Sequence, residues 1–489
     1  MHTYIHIYIH IYYTDNTLYM EQHTNIEDNN DEKIPYVINH SFHDSSEEQK
    51  DKFTKVFIDR FSIDKGTMGQ IKRMILHPSV NNIRIMPDCH RGKGCCIGFT
   101  SELTDKVVPN YIGGDIGCGI ITYSLNKKLS DLNMSVVDIE KIIRDVTPMG
   151  TREFSINDEN HIPVSDANIN ELCVKAYDEA YNFANMYGQK FKDSISHCLP
   201  DYSIEWFKNK CLQTQIDYNY VLKSIGSLGG GNHFIEVNSN KEGILYITIH
   251  TGSRGFGQAI CSYHQNKINE TKFIDYEELD DKKKKLMRKI KDAKALKMVM
   301  DDIKNNLVSS RHPDYLETNE AYEYYFDMIF AQKYAELNRR VILQRILDKL
   351  NLGKIVDDNI IESIHNYIDF NDFILRKGAI SASKDKLCLI SLNMRDGILL
   401  CKGKGNKDWN YSSAHGAGRL LTRTESENKI TLEMFKNVMK DVYSTSVLNE
   451  TIDESPFSYK DSEKIKKLIS DSVEIIEQLY PVINVKAIS

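Results

Sequence analysis

The sequence lacks the features that would place it in a membrane or in an oxidising compartment. Its ten cysteines form no CxxC pair and no closely spaced framework, so we expect a reducing, cytoplasmic location. No run of about 18 apolar residues occurs, and the sequence therefore predicts no membrane-spanning helix. The N-terminal residues also lack the basic start and small-residue cleavage site of a signal peptide.

A surplus of positive charge is missing as well. The 62 lysines and arginines are outnumbered by 69 acidic residues, which gives a net charge of -7. The composition therefore lacks the overall basic character of many nucleic-acid-binding proteins, although an enzyme needs only a local basic channel. Residues 402–423 could supply one, because several lysines and arginines there accompany a single acid, Asp408.

The two common nucleotide-binding signatures are absent too. The sequence has no GxxxxGK[ST] phosphate loop, and no Rossmann glycine fingerprint follows a predicted strand. A bound nucleotide would therefore have to be held by another structural feature. Glycine-rich turns remain available, because they expose backbone N–H groups to phosphates. Arg254, Lys377 and Arg419 lie in or beside such turns and could neutralise phosphate charge.

The pattern of apolar residues predicts a mixed α and β architecture. Short apolar runs followed by glycine-rich turns predict strands around 83–86, 95–100 and 245–249. Helical spacing predicts an amphipathic helix around 326–340 and a last helix over about 461–479.

No proline- or serine-rich linker divides the chain after residue 50. We therefore predict one large α+β domain over residues 50–489, with a charged helical insertion over about 265–350. Residues 1–49 are predicted to be a low-complexity leader followed by an acidic, mobile segment.

Glycine-rich stretches carry side chains of the kind that bind metal ions. The stretches are MPDCHRGKG (86–94), GGDIGCG (113–119), GGGNHFIE (229–236) and ITIHTGSRGFG (247–257), with SIHNYIDF around His365. A single histidine at a strand end is more often structural than functional. A carboxylate, a thiolate and imidazoles together suit a transition metal, and two ions could share the thiolate. Spacing alone leaves that arrangement open, because the residues are far apart in sequence.

The stretch SSAHGAGR (412–419) places His415 among residues that are almost all small. Small neighbours allow a ligand or another backbone to come close to the ring. The alternative is a turn with an incidental histidine, and the remaining motifs decide between the two interpretations.

Taken together, ten motifs resemble the RtcB family of RNA ligases from about residue 84 to the C-terminus. In chain order they are MPDCH, GGDIGCG, GGGNHFIE, HTGSRG, AQKYAELNRR, HN, RKGA, HGAGR, YKD and a near-terminal lysine. The resemblance implies an RtcB-like catalytic domain of mixed and antiparallel sheets with flanking helices. It also implies a GTP- and Mn²⁺-dependent enzyme that joins RNA 3′-phosphate or 2′,3′-cyclic phosphate ends to 5′-hydroxyl ends.

The resemblance assigns roles by position. His415 is similar to the nucleophile that becomes guanylylated, and Asp88 is similar to the carboxylate that orients it. Two manganese ions would share Cys118, with Asp115 and His233 on one ion and His250 and His365 on the other. The residues implied to contact the guanylate or its phosphates are Asn232, Phe234, Glu236, Arg254, Lys377, Asn393, Arg419, Tyr459 and Lys486.

One loop departs from the usual family pattern. Residues 393–397 read NMRDG where many members have a Gly-Ser-Met-Gly-type loop, and Asn393 could replace a serine contact. This departure keeps an alternative open, in which the chain is a metal-dependent phosphoesterase that acts on RNA ends without joining them. A non-catalytic RNA-binding scaffold is a second alternative, which the intact HGAGR and ligand set disfavour. Transfer RNA splicing, RNA repair and an archease-type activator all remain open.

Overall fold

The computed structural model describes residues 28–29, 35–39, 53–150, 164–270, 297 and 314–488. Most of the predicted leader, and residues 271–313 of the predicted helical insertion except residue 297, lie outside the described residues. The architecture is α+β, which confirms the predicted fold class. In the described part of the chain, the strands form two large sheets and two small ones.

The first large sheet is antiparallel apart from one parallel pair, β3 (Phe53–Val56) with β4 (Asn81–His90). Its strands, in spatial order, are β1 (Asp28–Asn29), β2 (Tyr36–Asn39), β3 (Phe53–Val56), β4 (Asn81–His90), β5 (Ile97–Glu102), β13 (Ile374–Lys377) and β12 (Asn366–Asp369). Strands β4 and β5 confirm the strands predicted around 83–86 and 95–100. Strand β2 comes from the part of the chain predicted as leader, and its Ile38 is buried in the core.

The second large sheet is antiparallel throughout. Its spatial order is β11 (Ile360–Ile364), β7 (Gly119–Lys128), β9 (Ile244–Thr251), β8 (Phe234–Ser239), β18 (Val473–Val485), β16 (Ile398–Gly403) and β15 (Leu387–Ser391). Strand β9 confirms the strand predicted at 245–249. The small sheets pair β6 (Lys106–Val107) with β10 (Leu316–Glu317), and β14 (Ala379–Ser381) with β17 (Ser412–Ala414).

The described helices cover or connect these sheets. They are α1 (Lys65–Ile75), α2 (Val136–Val146), α3 (Asp166–Phe191), α4 (Ile204–Gln213), α5 (Tyr218–Ser224), α6 (Arg254–Glu270), α7 (Thr318–Lys349), α8 (Arg423–Lys429), α9 (Leu432–Val438) and α10 (Ser462–Leu468). Several begin at polar caps that sequence reasoning would favour. Asp64 accepts a backbone N–H bond at the start of α1, and Ser135 and Ser165 form capping boxes before α2 and α3.

Helix α7 is the central helix of the core. Its first half packs Phe326 and Phe330 among the aromatic residues of α3 and α6, and its second half packs Ile342 and Ile346 beneath β7 and β9. The predicted amphipathic character around 326–340 is wrong, because this part of the helix is buried on almost every face. A helix that is covered all round must satisfy its polar side chains internally, and Asp327 and Arg339 do so with ion pairs.

The last helix is much shorter than predicted. Helix α10 ends at Leu468, and residues 473–485 form β18 instead of continuing to 479 as a helix. Strand β18 pairs with β16 on one side and with β8 on the other, so its backbone is satisfied by neighbours distant in sequence. Tertiary pairing of this kind overrides local propensity.

All ten cysteines are free thiols in the structure. Among the described helices, none is both long enough and apolar enough to cross a membrane.

Candidate active site

The register of the second sheet brings a thiol and an imidazole together at one sheet end. Because β7 and β9 are antiparallel, the start of β7 lies beside the end of β9, and Gly119 is paired with Thr251. Cys118 immediately precedes β7, and His250 is the residue before Thr251. Residues separated by 132 positions in sequence therefore meet, with the Cys118 Sγ 3.4 Å from the His250 Nε2.

Two neighbouring strands deliver two more imidazoles to the same end. His233 immediately precedes β8, whose first residue, Phe234, is paired with His250. His365 immediately follows β11, whose last residue, Ile364, is paired with the first residue of β7. The sheet topology thus produces the cluster that the sequence motifs could only suggest.

The donor atoms form a continuous series with Cys118 at its centre. The His233 Nε2 lies 2.9 Å from the Asp115 Oδ2, and 3.4 Å from the Cys118 Sγ. On the other side of the sulfur, the His250 Nε2 lies 3.2 Å from the His365 Nε2. Asp115 and His233 therefore lie on one side of the thiol, and His250 and His365 on the other. This is the division expected for two ions that share one sulfur.

Burial sets the protonation of these groups. Burial lowers the pKa of His250 and His365 well below the usual range, and neighbouring cations act in the same direction. Both imidazoles are therefore neutral at pH 7 and have a lone pair to donate. Burial alone would raise the pKa of Asp115, but the combined effects of His233, the Cys118 hydrogen bond and His365 lower that pKa to about 2. The cluster thus offers a carboxylate and neutral imidazoles, as transition-metal binding requires.

His415 lies beside this cluster, in contact with Asp88. Its ring centroid is 4.8 Å from that of His365, and its Nδ1 is 2.6 Å from the Asp88 Oδ2. The same carboxylate oxygen accepts the backbone N–H groups of His415 and Gly416. Asp88 therefore fixes both the ring and the backbone of His415, and holds the imidazole through Nδ1. A carboxylate partner of this kind selects one tautomer and leaves the other nitrogen as a base or nucleophile.

The small residues around His415 allow another backbone to approach. A Cβ at Gly418, whose φ is +74°, would collide with the carbonyl of Asp88, and one at Gly416 would lie 2.6 Å from the carbonyl of Ser391. Lys460 of the YKD motif fixes the other side of the Asp88 segment, where its Nζ donates to the carbonyls of Pro87 and Cys89. Gly418 is thus required for the close approach of this turn to Asp88, and Gly416 for its approach to Ser391.

A cavity of about 810 Å³ opens over His415, which is within the usual size range for a nucleotide or cofactor site. Other residues proposed from the sequence also line it, namely Asn232, Phe234, Glu236, His250, Asn393, Arg419, Tyr459 and Lys486. Glu236 is buried in its wall, and both carboxylate oxygens accept amide N–H bonds, from Asn238 and Asn484. Burial raises the pKa of Glu236 to about 7. Phe234 and Tyr459 supply aromatic surface beside these polar groups.

Two residues expected to contact phosphates are occupied by bonds within the protein and do not line the cavity. The Lys377 Nζ donates to the carbonyls of Lys93 and Asn110, at 2.6 and 2.8 Å. The Arg254 guanidinium donates to the Ser227 hydroxyl and to the carbonyl of Gly150. Arg254 has a φ of +55°, a left-handed conformation that is uncommon for a non-glycine residue.

Asn393 and Arg419 line the cavity but are also engaged. The Asn393 side chain accepts backbone N–H bonds from Arg395 and Asp396 and donates to Asp396, so it closes its own loop. Arg419 donates to the Glu454 carboxylate and to the carbonyls of Leu421 and Asp453. A nucleotide contact from either residue would need a change in these bonds.

Glu454 is a buried residue that accepts hydrogen bonds from several other residues of the site, and the sequence motifs did not point to it. Its carboxylate accepts bonds from the Tyr459 hydroxyl at 2.6 Å, from the Lys486 ammonium at 3.0 Å and from Arg419 at 3.1 Å. Each of these partners was a candidate nucleotide contact. The feature of the sequence that could have indicated Glu454 is the acidic pair Asp453–Glu454, which lies shortly before the YKD motif. Burial opposes ionisation, but Lys486, Arg419 and Arg423 lower the pKa of Glu454 to about 2.

We expect Glu454→Gln to lower the free energy of unfolding by roughly 3 kcal/mol at pH 7, because the cations then lose their buried anion. A carboxyl group whose pKa is lower in the folded state stabilises the fold above its unfolded pKa. The difference from wild type should therefore shrink as the pH falls from about 4.5 towards 2. Urea denaturation at several pH values measures it, with the exposed Glu433→Gln as control. An equal, pH-independent loss in both variants contradicts the assignment.

A second polar cluster, away from the cavity, also contains metal-type side chains. His264, Glu323 and Asp327 lie close together. However, the Lys210 ammonium pairs with both carboxylates, and Lys267 pairs with Glu323. Lysine side chains already supply the positive charge here, so this cluster is an internal ion-pair network.

Comparison with known proteins identifies relatives of the chain. A family model described as tRNA-splicing ligase RtcB matches residues 70–487. The chain is 27% identical over 421 residues to the RNA-splicing ligase RtcB1 of Escherichia coli strain ATCC 25922, covering 83% of this chain and 90% of the relative. It is 24% identical over 466 residues to the tRNA-splicing ligase RtcB of Archaeoglobus fulgidus, covering 83% and 88% respectively.

Proposed function

Because the chain belongs to the tRNA-splicing ligase RtcB family, we propose that it is an RNA ligase that uses GTP and manganese. Its substrates are an RNA 3′-phosphate or 2′,3′-cyclic phosphate end and a 5′-hydroxyl end. The reaction proceeds through a guanylylated His415. The observation that carries the proposal is the contact between His415 and Asp88 beside the donor cluster, with His415 lining a nucleotide-sized cavity.

In the first step, the Nε2 of His415 attacks the α-phosphorus of GTP. A P–N bond forms, the bond from that phosphorus to the β-phosphate oxygen breaks, and pyrophosphate leaves. Asp88 accepts the Nδ1–H and stabilises the positive charge that develops on the ring. Its side chain is fully buried, so water does not compete strongly for this hydrogen bond.

The donor cluster fits two divalent cations. Asp115 and His233 would hold one ion, His250 and His365 would hold the other, and the Cys118 thiolate would lie between them. The neutral imidazoles, the ionised Asp115 and the central position of the sulfur support this assignment. When bound, the ions polarise phosphoryl oxygens and screen the charge that repels an incoming nucleophile.

Two transfers complete the reaction. An oxygen of the RNA 3′-phosphate attacks the guanylate phosphorus, the P–N bond breaks, and the guanylate is joined to the RNA end. The 5′-hydroxyl then attacks the RNA phosphorus, a phosphodiester forms, and GMP leaves. A 2′,3′-cyclic phosphate must first be opened by water. Phe234, Tyr459, Glu236 and Lys486 are the groups of this chain proposed to hold the guanylate throughout.

The test follows the phosphate that becomes the junction. An RNA labelled at its 3′-terminal phosphate is incubated with a 5′-hydroxyl RNA, Mn²⁺ and GTP, with ATP replacing GTP in a parallel reaction. We expect the label to enter a longer product and become resistant to phosphatase only with GTP, because ligation converts an end group into a diester. Label that stays sensitive to phosphatase with either nucleotide contradicts the proposal.

A metal-dependent phosphoesterase that acts on RNA ends without joining them is the second candidate. One observation favours it. Asn393, Arg419 and Lys377, which were expected to contact the nucleotide, form hydrogen bonds within the protein instead. In the junction experiment, a phosphoesterase would process the end in the absence of GTP and produce no longer product. The archease-type activator and the cytoplasmic location stay predictions, and the proposal covers both tRNA splicing and RNA repair.

A further inference from the structure

Arg339 belongs to the AQKYAELNRR motif and contacts the backbone next to the donor cluster. The sequence alone indicated no role for it. Its side chain is fully buried in α7. The Nε donates to Glu362 at 2.7 Å, and the Nη1 donates to the carbonyls of Gly117 and Thr251, each at 2.8 Å. Gly117 immediately precedes Cys118, and Thr251 immediately follows His250. One guanidinium therefore holds the backbone beside both the thiol and an imidazole of the cluster.

The preceding residue, Asn338, ties a third segment to the same helix turn. Its Oδ1 accepts the backbone N–H groups of Gly226 and Ser227, at 2.7 and 3.1 Å. Its Nδ2 donates to the carbonyls of Ser227 and Gly252, at 3.1 and 3.0 Å. Gly226 and Ser227 begin the glycine-rich segment that leads to His233. The amide therefore connects that segment to the turn that follows His250.

The segments lie directly on the helix, with little space for adjustment. Gly117 has a φ of +70°, and a Cβ there would lie 2.9 Å from the Gln332 Cα of α7. At Gly226, a Cβ would collide with the Arg345 guanidinium. Because α7 is packed on nearly every face, it provides a rigid reference for these contacts.

We propose that Arg339 is a positioning residue that fixes the separation of Cys118 and His250, and thereby sets the metal affinity of the cluster, with Asn338 positioning the His233 segment. The proposal rests on the metal site of the proposed function. Metal ligands must be held within a few tenths of an ångström of the preferred geometry. Losing an outer contact of this kind typically weakens metal binding 10–100-fold.

The test is a titration of the metal-free, full-length chain with Co²⁺ alone, because thiolate–cobalt bonding gives a characteristic absorption band. We expect Arg339→Lys to weaken Co²⁺ binding about 10-fold and to change that band, because one ammonium cannot reach Glu362 and both carbonyls from the separate positions of Nε and Nη1. Arg340→Lys is the control on the same helix. Arg340 follows Arg339 in α7, but its guanidinium is half-buried and pairs with Glu336 and Asp357, neither of which adjoins a proposed ligand.

A merely structural role would lower the thermal stability of both variants and leave their metal affinities equal, and that result overturns the proposal. Unchanged Co²⁺ binding in Arg339→Lys overturns it as well. If Arg339→Lys does not fold, Glu362→Gln removes the carboxylate that holds the Nε and should shift the affinity in the same direction by a smaller factor. The titration contains no RNA and no GTP, so its result is independent of whether the junction experiment detects ligation.

Discussion

His415→Ala is expected to abolish the retention of GMP on the protein, by a factor of at least about 10³. The alanine has no atom that can form the P–N bond, and the neighbouring imidazoles are occupied or misplaced. His365 and His250 face each other through their Nε2 atoms, and the His90 Nδ1 is bonded to the carbonyl of Asp88. The measurement is incubation with Mn²⁺ and α-labelled GTP, followed by denaturation and acid treatment, because a phosphoramidate is labile to acid.

The control for this variant is His197→Ala, which removes an exposed histidine outside the cavity. It should retain label at the wild-type level. His415→Ala should still bind metal ions, because none of the proposed ligands is changed. Label of wild-type intensity on His415→Ala would assign the nucleophile to another residue. An absence of label on metal-loaded wild-type protein would instead favour the phosphoesterase.

Much of the fold could be predicted where local pattern and tertiary environment agree. Strand β9 is a short apolar run that ends at a glycine-rich turn, and it lies in the interior of a sheet, so both features predict the same structure. Residues 473–485 illustrate the opposite case. Their partners, β16 and β8, come from residues 398–403 and 234–239, and no local pattern contains that information.

The composition of the donor cluster could be predicted, but its geometry could not. The motifs GGDIGCG, GGGNHFIE, HTGSRG and HN each supplied ligand candidates, yet only the antiparallel pairing of β11, β7, β9 and β8 brings them to one sheet end. The role of cationic residues was the least predictable part. The sequence suggested that Arg419 and Lys486 were free to contact the nucleotide. In the structure both donate hydrogen bonds to a buried carboxylate, Glu454. Such pairing depends on contacts across more than 30 residues.

Cys118→Ala should remove the link between the two halves of the donor cluster. The sulfur contacts both His233 and His250, and alanine offers no ligand atom in its place. We therefore expect Co²⁺ affinity to fall by more than about 100-fold, beyond the range typical of losing an outer contact. The thiolate–cobalt absorption band should disappear, and RNA joining should be lost with it.

Cys261→Ala provides the matched control, because Cys261 is also buried but lies in α6, and its Sγ is 3.9 Å from the Asn110 side chain. Both variants lose a similar volume from the interior, so a difference between them reports the ligand and not the cavity. Cys118→Ser is expected to fall between wild type and alanine, because a hydroxyl is a poorer bridge than a thiolate. If Cys118→Ala keeps the absorption band and joins RNA at the wild-type rate, the sulfur does not bridge two ions, and the two halves of the cluster must bind metal independently.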